Sequence, residues 1–254
     1  DEMNLAPVEQ YFAEYLSVIE SRKLQDRHIE TDPIVPFENT EAYGSLIDQL
    51  FDSDEERKAY KREDGGKRLT IPENLFVVGT VNMDETTFSF SRKVLDRAMS
   101  IVMNKVEYDK FFTGETENDM AEFDENIKNL LIDRPIRGLD AEENEADKVE
   151  EYLTAVNNVL DDTPFKLGYR AANEALLYVS AAHQFDSDAT VEAALDEFTL
   201  MKILSRIEGD KRSIGTKLDE LQEVINESTY PKSNKKLQQM ADTLRNKQFV
   251  SYWT

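Results

Sequence analysis

Apolar residues recur at helical spacing along most of the chain. Val8, Phe12, Leu16 and Ile19 follow one another at intervals of three or four positions, which predicts a helix over Asn4–Arg22. The same periodicity dominates the second half of the chain, where proline and glycine separate the segments. It predicts helices near Glu117–Ile132, Ala146–Leu160, Gly168–Phe185, Thr190–Glu208, Ser213–Glu227 and Asn234–Asn246. The chain is therefore expected to be mainly helical.

A different pattern lies between these helical zones. Leu75–Val78 is an uninterrupted apolar run after a Pro-Glu-Asn turn, which predicts a strand buried on both faces of a parallel sheet. Ser91–Ala98 is expected to form a short helix, and Ser100–Met103 a second strand. The predicted fold class is therefore α/β over residues 1–104, followed by an all-helical domain over residues 105–254.

The chain is strongly acidic. It has 30 Lys and Arg residues against 52 Asp and Glu residues, a net charge of −22. Such a surface repels phosphate backbones at long range, which disfavours direct binding of nucleic acid by this segment. Residues 52–67 mix acids, bases and two glycines and are expected to form an exposed loop. The acidic run Asp140–Glu151 is interpreted as the solvated face of a helix.

Several classes of site are disfavoured by composition. The chain has no cysteine, which excludes disulfides and thiolate metal sites. His28 and His183 lie far apart in the sequence, which disfavours a histidine-based zinc site. No apolar run approaches the roughly 20 residues that span a bilayer. A cytoplasmic protein without membrane contact is therefore expected.

Polar side chains stand where nucleotide hydrolysis needs them. Asp1 and Glu2 precede an amphipathic helix, and two adjacent acids can supply a metal ligand and a group that polarises water. Asn82 follows the apolar run, and its neutral amide can bind an attacking water or a γ-phosphate without adding negative charge. The alternatives are a solvated acidic segment for the two acids and a turn-forming role for Asn82.

Two arginines are candidates for contact with a phosphate. Arg97 follows the predicted strand by one short helix, where a guanidinium can reach the nucleotide of a neighbouring subunit. The alternative is an ion pair, for example with Asp96. Arg170 begins a predicted apolar helix, where a cation is unfavourable for the helix dipole. Compensation is expected either from Glu174, one turn further on, or from the phosphate of a ligand.

These segments resemble the McrB-type AAA+ NTPases, the motor subunits of modification-dependent restriction systems. IPENLFVVGTVNMDETTFSFSRKVLDRA looks like their sensor-1 strand and following helix, and DEMNLAPVEQYF looks like their Walker B end and next helix. FKLGYRAANEALLYV resembles the lid helix that carries the sensor-2 arginine, and the remaining tail is similar to the closing lid helices. No GxxxxGK[ST] motif is present, so the resemblance is to the C-terminal part of such a motor, without Walker A.

The resemblance implies a role for each candidate residue. The implied catalytic residues are Glu2 (catalytic acid), Asn82 (sensor 1) and Arg97 (arginine finger). The implied nucleotide-binding residues are Asp1 (Walker B), Asn4 (beside Walker B) and Arg170 (sensor 2). Asp1 would also hold Mg²⁺ through water.

The resemblance also implies partners. The full-length protein would bind Mg²⁺ with ATP or GTP, assemble as a ring that is expected to be hexameric, and act with a McrC-type nuclease subunit and, indirectly, with DNA. Residues 1–254 alone are expected neither to hold nor to hydrolyse nucleotide. The alternatives are a non-catalytic AAA+-like helical scaffold or adaptor that docks on a basic partner, and a MoxR-like protein-remodelling ATPase. A standalone metal-dependent hydrolase is disfavoured, since no further ligand cluster accompanies Asp1 and Glu2.

Overall fold

Two compact units divide the chain, residues 1–81 and residues 82–254. The computed structural model describes residues 1–25, 28–35, 40–60, 68–83, 87–103, 108, 112 and 136–253. The domain boundary predicted between residues 104 and 105 lies outside these ranges, as does the helix predicted at Glu117–Ile132. Both stay predictions.

The described part of the first unit consists of short helices and one hairpin. Its helices are α1 (Val8–Tyr11), α2 (Ala13–Val18), α3 (Thr40–Leu50) and α4 (Asp54–Tyr60), and 3-10 turns lie at Met3–Leu5 and Ile19–Ser21. Strand β1 (Lys23–Gln25) pairs in antiparallel order with β2 (His28–Glu30). The helix predicted over Asn4–Arg22 is confirmed in part, because Phe12 leaves helical geometry and separates α1 from α2.

Helix α4 corrects the prediction of a loop at residues 54–60, whereas residues 61–67 of that predicted loop lie outside the described ranges. Asp54, Glu55 and Glu56 occupy its first turn, and Arg57 and Lys58 lie near its end. This order places negative charge at the positive end of the helix dipole and positive charge at the negative end. The hydroxyl of the preceding serine accepts the Glu56 amide at 3.1 Å, as an N-cap does. A charge-rich run is therefore helical when its charges are ordered along the axis.

Glu73 ties the segment before the apolar run to the hairpin. Its carboxylate accepts the Ile29 amide at 3.1 Å and contacts Nδ1 of His28 at 3.4 Å. The backbone hydrogen bond from Ile29, followed by the contact with His28, lowers the pKa of Glu73. Nearby, the Ile71 amide donates to the Thr31 hydroxyl at 3.0 Å. The chain that leads into the apolar run is thus held at two points.

The second unit contains the longest helices of the described ranges. Its α-helices are α5 (Arg92–Leu95), α6 (Ala146–Leu160), α7 (Tyr169–Phe185), α8 (Val191–Phe198), α9 (Lys211–Val224) and α10 (Pro231–Lys247). It also has 3-10 turns at Gly138–Asp140 and Leu204–Arg206 and a π-helical turn at Thr199–Ile203. Strands β3 (Glu208–Asp210) and β4 (Phe249–Ser251) pair in antiparallel order. The protein is therefore mainly helical, as predicted. In the ranges the structure covers, no helix is long and apolar enough to cross a membrane.

The helices of the second unit share one apolar core, which forms where their periodic apolar faces meet. Core residues with 0% exposure include Val156, Ala175, Val179, Phe198, Leu204, Leu221 and Leu237. The bounds predicted for α6 are confirmed, and those for α7, α9 and α10 differ by a few residues at their ends. The helix predicted at Thr190–Glu208 is shorter, because its second half becomes the π-helical and 3-10 turns before β3.

A buried carboxylate joins two of these helices. Asp196, in α8, is 2% exposed and accepts the amides of Lys232 at 2.9 Å and Ser233 at 2.8 Å. The Ser233 hydroxyl donates to the same carboxylate. These amides belong to the first turn of α10, whose own N-cap residue supplies no side-chain hydrogen bond. Asp196 therefore caps α10 from a neighbouring helix.

The two predicted strands do not form in this structure. Leu75–Val78 has no strand pairing, and its four side chains are 46–88% exposed. Ser100–Met103 also has no strand pairing, and Met103 is 94% exposed. A strand is buried on both faces only where strands flank it in a covered sheet. The strand pairs in the described ranges are both antiparallel, so the predicted parallel core stays a proposal.

Gly138 packs against α7 so closely that we expect Gly138→Ala to destabilise the second unit. A Cβ atom there would lie 2.4 Å from Cβ of Leu176 and 2.7 Å from the carbonyl oxygen of Asn173. Neither atom can move without the helix, and overpacking of this kind costs about 2 kcal/mol. Urea unfolding measures the change.

Gly215→Ala, within helix α9, is the control, because its new Cβ would meet the nearest atom at 3.4 Å. This variant should stabilise the unit by about 0.8 kcal/mol. Equal stability of the two variants would contradict this packing.

Candidate functional site

The acidic pair Asp1 and Glu2 lies beside Thr80, at the end of the apolar run. The amide of Met3 donates to the Thr80 carbonyl at 2.9 Å, and the amide of Glu2 donates to the Thr80 hydroxyl at 3.0 Å. The same hydroxyl donates to the carboxylate of Asp1. Three hydrogen bonds thereby join residues that lie 77 to 79 positions apart in the sequence. We call Asp1, Glu2, Met3 and Thr80 the acidic junction.

Close packing holds the backbone of the acidic junction. A Cβ atom on Gly79 would lie 1.9 Å from the sulfur of Met3, so the glycine lets the two segments approach. The Tyr11 hydroxyl, from α1, donates to the Met3 carbonyl at 2.8 Å. Glu2 has φ 48°, a left-handed conformation that non-glycine residues adopt rarely. Glu143, Glu145 and Gln248 share a positive φ, so this conformation alone does not distinguish Glu2.

The acidic junction contains two carboxylates, a type of ligand that Mg²⁺ binds. Asp1 and Glu2 are both exposed, and Asn4, the adjacent candidate, is 1% exposed. Mg²⁺ is commonly bound by one or two carboxylates together with water and substrate phosphates. No group of three or more His, Cys, Asp or Glu side chains converges on a metal site in the described residues. The binding of Mg²⁺ by Asp1 through water stays a prediction.

Asn82 is the first residue of the second unit. Its side chain is exposed, and its carbonyl accepts the Thr87 hydroxyl at 2.8 Å. It follows Thr80 by two positions in the sequence. The hydrogen bond from Thr87 fits the alternative that Asn82 shapes a turn, and it leaves the sensor-1 role a prediction.

Arg97 lies just after α5 and turns back towards that helix. Its guanidinium Nη1 donates to the Lys93 carbonyl at 2.6 Å, and its amide donates to the Val94 carbonyl at 3.0 Å. A cation near the last carbonyls of a helix is favourable for the dipole. The ion pair with Asp96 suggested by the sequence is made by a different cation, Arg206, whose Nε lies 3.0 Å from the Asp96 carboxylate.

Arg170 lies in the first turn of α7 with its side chain exposed. Glu174, the acid suggested to compensate it, forms a 2.6 Å ion pair with Lys202. The position of Arg170 at a helix N-terminus is as predicted. Its contact with a phosphate stays a prediction.

A group of charged residues around the buried cations Lys202 and Arg206 was missed by sequence reasoning. Asp96, Glu174, Lys202 and Arg206 form it, and we call it the charged cluster. Lys202 is 1% exposed, and its ammonium group pairs with Glu174 while it donates to the carbonyls of Asp96 at 2.7 Å and Ala98 at 3.2 Å. Burial lowers the pKa of Lys202, and the charge of Glu174 opposes that change. The cluster joins the segment after α5 to the π-helical turn.

One sequence signal for the charged cluster exists. Phe198, Lys202 and Arg206 follow one another at four-residue intervals, which places both cations on the face of the apolar Phe198. Charged side chains on the buried face of a helix are rare unless they are paired. The signal predicts a buried ion pair but not its partners, because Glu174 lies on another helix.

The family comparison matches the second unit. A protein family described as "Domain of unknown function (DUF8727)" matches residues 121–249, about half of the chain. The chain belongs to the DUF8727 family. No curated protein and no solved structure matches it. The DUF8727 match includes Arg170, Asp196 and three members of the charged cluster, whereas the acidic junction, Asn82 and Arg97 lie before it.

Proposed function

We propose that residues 1–254 are the C-terminal part of a McrB-like AAA+ ATPase or GTPase. In its full length this protein hydrolyses nucleotide in a ring and powers a DNA restriction or translocation complex. Its partners are further copies of itself and a McrC-type nuclease subunit, and it meets DNA through the complex.

The observation that carries the proposal is the backbone hydrogen bond from Met3 to Thr80. In a parallel sheet, the carboxyl ends of neighbouring strands lie at one edge, and polar residues there face the ligand. The proposal requires Asp1 and Glu2 to end one strand and Thr80 to end its neighbour. The 2.9 Å bond supports that arrangement, since it joins the two segments at those residues.

The proposed roles follow from side-chain chemistry. Glu2 polarises the attacking water, and Asn82 orients that water through its amide. Arg97, contributed to the site of a neighbouring subunit, offsets the charge that develops on the phosphate, and Arg170 binds the phosphate within its own subunit. Asn4, beside Asp1 and Glu2 in the sequence, is included among the nucleotide-binding residues. Asp1 would hold Mg²⁺ through water, and the ion would supply positive charge at the phosphate oxygens.

A non-catalytic AAA+-like scaffold is the second candidate, and the conformation of Arg97 favours it. The guanidinium donates to the Lys93 carbonyl of its own helix at 2.6 Å, which is a structural role that needs no nucleotide. The net charge of −22 suits docking on a basic partner. A MoxR-like remodelling ATPase shares the catalytic proposal and differs in its target, a protein rather than DNA.

We expect Glu2→Gln to lower the kcat of the full-length protein about 100-fold, because a glutamine cannot act as the base that activates water. Hydrolysis of ATP and of GTP with Mg²⁺ is measured by phosphate release. Residues 1–254 alone, which lack a Walker A loop, should release no phosphate.

The matched control for this prediction is Glu14→Gln, an exposed acid in α2. It makes the same chemical change and should leave kcat within twofold of the parent value. A full-length protein that is silent would favour the scaffold. Active protein with equal rates for the parent and Glu2→Gln would overturn the assignment of Glu2.

A further inference from the structure

Lys202 reaches from the π-helical turn to the backbone on both sides of Arg97. Its Nζ lies 2.7 Å from the Asp96 carbonyl, directly before Arg97, and 3.2 Å from the Ala98 carbonyl, directly after it. One ammonium group therefore binds both peptide carbonyls that flank this arginine. Such charge-assisted hydrogen bonds are stronger than neutral ones.

Two further contacts hold the same segment. Arg206 pairs with the Asp96 carboxylate at 3.0 Å, and the Ser100 amide donates to the Met201 carbonyl at 3.1 Å. Residues 96–100 are thus bound at four points to the turns between residues 199 and 206. Arg97 lies within this segment, and its guanidinium donates to the Lys93 carbonyl at 2.6 Å.

The ion pair with Glu174 orients Lys202 and opposes the lowering of its pKa that burial causes. Glu174 contacts the ammonium group at 2.6 Å from α7, while two carbonyls take its other hydrogens. The ammonium group thus lies between two carbonyls and one carboxylate. The π-helical turn that carries Lys202 is of a kind that occurs often at functional sites.

We propose that Lys202 is a positioning residue for Arg97. By fixing the carbonyls on either side, it sets the direction in which the guanidinium projects. What the guanidinium then contacts, the nucleotide of a neighbouring subunit, rests on the proposed function. Lys202 itself touches no nucleotide in this proposal.

The positioning is tested first in residues 1–254, without nucleotide. The variant is Glu174→Gln combined with Lys202→Met, because removing both charges avoids leaving one of them buried alone. Amide hydrogen exchange measured by NMR should show the Ser100 amide exchanging at least about tenfold faster, while amides in α6 keep their rates. Unchanged exchange at Ser100 would overturn the proposal.

Lys236→Met is the matched control. Lys236 is a half-buried lysine of the same unit, whose ammonium group lies 4.6 Å from the ring centre of Tyr252 rather than near Arg97. Lys236→Met makes the same lysine-to-methionine change at another position, yet the Ser100 amide should exchange at the parent rate. Faster exchange at Ser100 in this control would mean a general loss of stability, and would also overturn the proposal.

The second measurement separates positioning from mere stability. In the full-length protein, the double variant Glu174→Gln/Lys202→Met should lower kcat about tenfold and leave the KM for the nucleotide within twofold. Combined with Arg97→Ala, it should add nothing, because both changes remove the same guanidinium contact. Additive losses would overturn the positioning role.

Failure of the proposed function gives a different result. If the full-length protein hydrolyses nucleotide and Arg97→Ala keeps the parent kcat, the finger role of Arg97 is wrong. The exchange measurement at Ser100 then still decides whether Lys202 fixes the segment. The two proposals can therefore fail independently of each other.

Discussion

Asp196→Ala is expected to lower the free energy of unfolding of the second unit by about 4 kcal/mol. The change removes one buried acceptor that serves two amides of α10 and the Ser233 hydroxyl. Each buried donor left without a partner costs about 1–3 kcal/mol, and the helix also loses its cap. Urea unfolding followed by the fluorescence of Trp253, the single tryptophan of the chain, measures the effect.

The control for this prediction is Asp242→Ala, on α10 itself. Asp242 is exposed and pairs with Arg245 at 2.7 Å on the helix surface. Exposed pairs of this kind contribute little, so the change should stay within about 0.5 kcal/mol. Asp196→Asn keeps one acceptor oxygen and should fall between the two. If Asp196→Ala were as stable as the control, the capping role would be wrong.

Lys202→Met is expected to destabilise the second unit by about 4 kcal/mol. It leaves the partly buried Glu174 without its cation and leaves the carbonyls of Asp96 and Ala98 without a donor. Breaking a buried ion pair from one side costs about 3–5 kcal/mol, since the remaining charge is desolvated and unpaired. Urea midpoints and slopes of the single variant give the value.

The same pair allows a double-mutant cycle. Adding Glu174→Gln to Lys202→Met removes the unpaired charge and should restore about 2 kcal/mol or more. The pair Lys217 and Glu220, an exposed contact at 3.2 Å in α9, serves as the control and should show coupling below about 0.5 kcal/mol. Strictly additive losses for Lys202 and Glu174 would show that their contact contributes nothing to folding.

The helices of the second unit could be predicted because their signal is local. In α6, apolar residues at helical spacing face the core, and the predicted bounds are the observed ones. The strand predicted at Leu75–Val78, in contrast, depends on partners that the local sequence does not specify. An apolar run indicates that side chains are buried somewhere, but the neighbouring strands that bury them must come from other parts of a sheet.

The residues of the candidate site could be predicted from the sequence, but their contacts could not. Sequence motifs singled out Asp1 and Glu2 as adjacent acids before an amphipathic helix, and Asn82 as a polar residue after an apolar run. That Thr80 bonds to both acids could not be predicted, because its partners lie 78 and 79 positions away. Arg97 was recognised as a cation, while its contact with the Lys93 carbonyl depends on the backbone turn after α5.

The amino-acid sequence by itself determined that the protein is mainly helical, acidic and free of cysteine chemistry, because periodicity, charge and composition are read within a few residues. The tertiary structure alone decided which charges are buried and what they bind. Asp196 caps a helix that begins 35 residues later, at Pro231, and Lys202 binds a carbonyl 106 positions earlier. A buried charge is stabilised only by partners close in space, and a folded chain supplies them from segments that are far apart in sequence.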